Sequence, residues 1–156
     1  MNERVSAQPN GKGQAAPAGP IKSGSIVGAP GVRLRKPGMK LLFIHQNFPG
    51  QWRHLAAFSA AQGHDVVGIG QQGTAQSEAC PKGVRLILYP AKGAGTATHK
   101  YLQLSEAAVR RGQAVARTVM SLRKSGFVPD VVCVHQGCGE ALYLKDVLPG
   151  VPVLHY

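Results

Sequence analysis

From Lys40 onward the chain repeats one pattern, a short apolar run of strand length followed by a segment with helical spacing, and few folds accommodate that repetition. Lys40 to Ile44 (KLLFI) is a continuous apolar run, as expected of a strand buried on both faces. Gln51 to Gln62 follows as a helix with Trp52, Leu55 and Ala56 on one face and Gly63 closing it. Asp65 to Ile69 (DVVGI) and Val84 to Leu88 (VRLIL) read as the next two strands. The connection between them barely suffices for a crossover, so their relative direction stays open.

A long amphipathic helix is expected from about His99 to Lys124. Leu104, Ala107, Ala108, Val115, Val119 and Leu122 share one face, and Arg110, Arg117 and Lys124 lie opposite. Gly126 and Pro129 end it. Asp130 to Val134 (DVVCV) is a fourth strand, Gly139 to Val147 a short helix, and Val151 to Tyr156 the start of a fifth strand. Right-handed crossovers through these elements give a doubly wound, mostly parallel α/β sheet with strand order 3-2-1-4-5. Its switch point lies between strands one and four, where the loops His45 to Gln51 and His135 to Glu140 meet. Ligands of such sheets bind there.

The first 38 residues differ. Gly, Pro, Ala, Ser and Lys dominate Met1 to Gly38 with almost no apolar periodicity, so this segment is expected to be a disordered basic tail ahead of a domain spanning residues 39–156. Translation starting at Met39 is the alternative to a genuine flexible arm. The tail also accounts for much of the formal charge of +11: six basic residues against one acidic give it +5, and twelve against six give the body +6. A body charge of that size does not identify nucleic acid as a partner, and none is expected. Cys80, Cys133 and Cys138 show no CxxC spacing, so neither a disulfide framework nor a metal site is expected. No apolar stretch reaches membrane-span length. The expected location is the cytoplasm, with peripheral contact at the inner face of the membrane, through the Arg110, Arg117 and Lys124 stripe, left open.

The first loop, HQNFPGQ, leads into a helix start whose free N–H groups would favour an anion near Gly50 and Gln51; the competing reading is that Asn47 caps the helix and Pro49 occupies its first turn. No G-x-G-x-x-G is present, which argues against a dinucleotide fingerprint. In the second loop, His135 closes a buried strand and precedes Gly137 and Gly139, a setting suited to an acid, base or ligand-orienting group. Gly137-Cys138-Gly139 brings a nucleophile elbow to mind, but Gln136 stands where that pattern needs glycine.

The motifs MKLLFIHQNFPGQWRHLA, GHDVV, GVRLILY and PDVVCVHQGCGEALYLKDVLPGVPVLHY together resemble the N-terminal domain of glycosyltransferase family 4, the group 1 glycosyltransferases, over Met39 to Tyr156. The resemblance implies a Rossmann-like domain forming half of a GT-B architecture. It implies transfer of a sugar from a nucleotide-sugar, with retention, to a saccharide or lipid-linked acceptor, and no cofactor or obligatory metal. His135 matches the family histidine near the acceptor and transferred sugar, and is the expected catalytic residue; Gly50 matches the loop glycine near the donor diphosphate. His45, Asn47, Phe48, Gln51, Gly137, Gly139 and Glu140 are expected to complete the acceptor and donor surface. The family's donor-binding domain would follow Tyr156, so this polypeptide alone is not expected to transfer sugar. A non-catalytic α/β ligand-binding or regulatory module is the alternative, and a cysteine hydrolase using Cys138 and His135 a third.

Overall fold

Five parallel strands run in the order β3-β2-β1-β4-β5, as the crossover rule requires. They are β1 (Lys40–Ile44), β2 (Asp65–Gln71), β3 (Val84–Tyr89), β4 (Val131–Val134) and β5 (Val153–His155). Helices α1 (Arg53–Ala61), α2 (Gln103–Lys124) and α3 (Leu144–Val147) connect them. The computed structural model describes residues 38–90 and 93–156. The expected tail therefore lies, apart from Gly38, outside the described residues.

Side-chain alternation along each strand divides the interior into two layers. Leu42, Ile44, Val67, Ile69, Tyr89, Val132 and Val134 face α2 and α3, meeting Val115, Val119, Leu122, Leu144 and Leu148 in the larger core. Phe43, Val66 and Cys133 point the other way, toward Trp52 and Ala56. Both faces of the sheet are thus covered, which is why the strands read as continuous apolar runs instead of alternating ones.

The direction of β3, left open by the sequence, is parallel to β2, with the pairing extending to Gln71 and Tyr89. Other boundaries shift for local reasons. The first helix opens as a 3-10 turn over Gly50–Trp52, with Pro49 before it and no side-chain cap, so Asn47 does not cap it. The long helix starts at Gln103 rather than His99, and Leu104, expected on its inner face, is 86% exposed. Leu55 is likewise exposed. The short helix is one turn, beginning at Leu144 instead of Gly139; the left-handed φ of +99° at Gly139 is incompatible with a helix start there.

Candidate active site at the switch point

β1 and β4 are neighbours, and the histidine following each is held by the continuing ladder. The His45 N–H donates to the Ile69 carbonyl and the His135 N–H to the Ile44 carbonyl, both at 3.1 Å. The two imidazoles consequently meet, ring centres 5.0 Å apart and planes inclined at 46°. The Ile44 carbonyl also accepts the Trp52 indole N–H at 3.1 Å, which ties the start of α1 to the same point.

The β1 loop is filled by its own side chains. Phe48 is fully buried, its ring lying over Gly68 of β2, where an added Cβ would stand 2.3 Å from Phe48 Cζ. Gly68 therefore makes room for this ring, and Gly70 for Ala75, whose Cβ would stand 2.6 Å from an added one. The Asn47 N–H donates to His45 Nδ1 at 2.9 Å. Gly50 abuts the same imidazole, where a Cβ would come within 2.7 Å of Nδ1. Burial, and after it the neighbouring His135, holds the His45 pKa below its ordinary value.

In the β4 loop, Gly137 is exposed and nothing lies within 4 Å of where its Cβ would be. Gly139 is different: its Cβ would sit 2.2 Å from the Ala108 carbonyl oxygen, so this glycine lets the loop pack directly on α2. Glu140, 1% exposed, points beneath the loop and accepts the Tyr89 hydroxyl at 3.3 Å. Burial first, then the negative Glu140, pushes the Tyr89 phenol far above its usual range. Arg111 reaches under the same loop, donating to the Cys138 carbonyl and, at 3.1 Å, to Gln71 Oε1. A concavity of about 400 Å³ opens beside Gln136, Gly137 and Gly139, bounded by Ala108, Leu142 and His155. A larger groove of about 510 Å³ runs between β3 and α2 at the sheet edge, away from both histidines.

The residues singled out in the sequence thus fall into three settings. His45, Gly50 and His135 are brought together, Gly137 is the open point of the second loop, and Phe48 and Glu140 are interior supports. Gln51 is partly buried with its Nε2 unpartnered, as is Nδ1 of His135. Asn47 contributes its backbone amide. Sequence reasoning missed Arg111, Tyr89 and Gln71. Arg111 left a readable signal, since it falls four residues after Ala107 and four before Val115, a charge on the apolar stripe.

Among the described residues no three His, Cys, Asp or Glu side chains cluster in a way that could hold a metal ion, and all three thiols are free. No described helix is long and apolar enough to cross a membrane.

The parallel sheet, its strand order and the two loops meeting at its switch point define a Rossmann-like α/β domain. Residues 62–156 match the family model described as glycosyl transferase family 4 group, and the chain belongs to that family. Similar folds occur in the C-terminal domain of a hydrogenase from Pyrococcus furiosus (18% identity, TM-score 0.56, covering 76% of this chain and 90% of that one). A UGT transferase from Siraitia grosvenorii, solved in complex with UDP, is also similar (14% identity, TM-score 0.52), with 75% of this chain matched to 27% of that protein. No curated protein matches the chain.

Proposed function

We propose that this chain is the acceptor-side, N-terminal half of a retaining glycosyltransferase of GT-B architecture, moving a sugar from a nucleotide-sugar to a saccharide or lipid-linked acceptor. The observation that carries the reading is the pairing of His45 and His135 at the switch point of a family 4 glycosyltransferase domain. A similar structure having been solved with UDP supports a nucleotide-linked donor.

In this reading His135 hydrogen-bonds the transferred sugar or the acceptor, contributing position and charge stabilisation without forming a covalent bond. Gly50 and Gln51 face the donor diphosphate, and Gly137 gives the ligand room to approach the backbone. The nucleotide itself is held chiefly by a second domain across the cleft. Work on the cytoplasmic side, at the membrane surface when the acceptor is lipid-linked, follows from the same reading.

The test is His135→Ala in the intact two-domain enzyme, assayed against a panel of nucleotide-sugars. Turnover should fall about ten- to a thousandfold, roughly 1.4 to 4 kcal/mol of transition-state stabilisation. Nucleotide affinity should change much less. Full activity would reduce His135 to a strand-end residue, and transfer from none of the panel would remove the transferase reading.

A further inference from the structure

One nitrogen of His45 has a fixed role. Its Nδ1 accepts the Asn47 N–H, so that nitrogen carries no proton, and the neutral ring must hold its proton on Nε2. Protonating Nδ1 would set it against the Asn47 N–H, and burial with the neighbouring His135 already disfavours the charged ring. Gly50, lacking a side chain, seats the ring in this position. His45 is therefore a hydrogen-bond donor through Nε2.

His135 Nδ1 presents the complementary need. It is buried without a hydrogen-bond partner, and such an orphan destabilises the fold while it lasts. The His45 ring is its aromatic neighbour at 5.0 Å. A proton on His135 Nδ1 would oppose two donors in a buried space. A lone pair there would accept one, and the terminal torsion of a histidine is soft enough to turn Nδ1 toward the His45 edge.

We propose that His45 is a positioning residue for His135: its Nε2–H donates to His135 Nδ1, fixing His135 as the tautomer that presents Nε2–H to an oxygen of the bound sugar. The order runs from the Asn47 amide through His45 to His135, and each member determines which nitrogen of the next bears the proton. The sugar rests on the transferase reading; the tautomers do not.

Long-range proton–nitrogen correlation spectra of the nitrogen-15-labelled 156-residue chain near neutral pH test this directly, because they distinguish the two neutral tautomers. Both histidines should carry the proton on Nε2. In His45→Phe, His135 should shift from one tautomer to a mixture of both, whereas His45→Gln, which keeps a donor, should restore the single form. Gly50→Ala, driving a methyl group into the His45 ring, should loosen the preference as well and serves if the phenylalanine variant does not fold. A proton on His135 Nδ1 in the unsubstituted chain overturns the proposal, as does an unchanged tautomer in folded His45→Phe or Gly50→Ala. Correct tautomers in a protein whose intact form transfers no sugar would instead remove the transferase reading and leave this one standing.

Discussion

The loop after β1 is closed by its own side chains, whereas the loop after β4 is open at its tip and fastened from below. In the first, Phe48 fills the space above Gly68, and the Gln71 and Gln76 amides donate to the Gln46 and Phe48 carbonyls. In the second, the exposed Gly137 is followed by a residue whose carbonyl Arg111 holds, then by Gly139 against α2 and Glu140 against Tyr89. The first loop thus forms a wall. The second offers an approach to the backbone at Gly137 without losing its position, because Arg111, Ala108 and Tyr89 hold the residues that follow.

Gly139 and Gly137 break or confirm this contrast most sharply. Gly139→Ala should destabilise the chain by about 4 kcal/mol or more, combining left-handed backbone strain with a methyl group forced into Ala108. Gly137→Ala, at φ +119° but in open space, should cost only about 1–3 kcal/mol of strain. Urea midpoints measure both. Equal losses would mean that the second loop is not anchored at Gly139.

Phe48→Ala tests the closed loop. Deleting a fully buried phenylalanine should cost about 3 kcal/mol, at the low end for such truncations because the loop lies at the carboxyl end of the strands and can partly collapse. The spectra of Gly137 and Glu140 should stay near their original positions. Disturbance spreading to the second loop would show that the two are one packing unit.

Much of this architecture was legible because it follows from periodicity. The strand spans and the order 3-2-1-4-5 come from apolar runs and crossover handedness, and the meeting of His45 with His135 follows from that order. What escaped depends on contacts distant in sequence or on a specific backbone turn. Asn47 has the side chain of a capping residue, yet the Pro49 turn intervenes and its amide is used on His45. Leu104 has the spacing of the inner face but precedes the stretch of α2 that packs on the sheet. Glu140 belongs to the expected acceptor and donor surface because it closes the loop at the switch point; only its pairing with Tyr89, 51 residues away, shows where it points.

Tyr89→Phe probes that pairing more gently. Removing the hydroxyl leaves Glu140 Oε1 without this donor in a buried setting, for a loss of about 1–2 kcal/mol by urea denaturation. Glu140→Gln should lose less than Glu140→Leu, since an amide oxygen can still accept the Tyr89 hydroxyl. If the leucine variant is the more stable of the two, this contact does not help fasten the second loop.

The smallest effect expected is the pH dependence contributed by His45, and its sign follows from the same geometry that closes the first loop. Burial, then His135, keeps the folded-state pKa of His45 below the value near 6.5 that the unfolded chain would show. Between those two values the unfolded state binds more protons than the folded one. Stability from this residue is therefore fully present above about pH 6.5 and is lost as pH falls toward the lower folded value. Thermal melts at descending pH should show that decline in the unsubstituted chain. His45→Gln, which has no titrating ring, should flatten it, leaving whatever slope the carboxylates contribute at more acid pH. A steeper decline in the glutamine variant, or the same decline in both, would mean that His45 is not held neutral by folding.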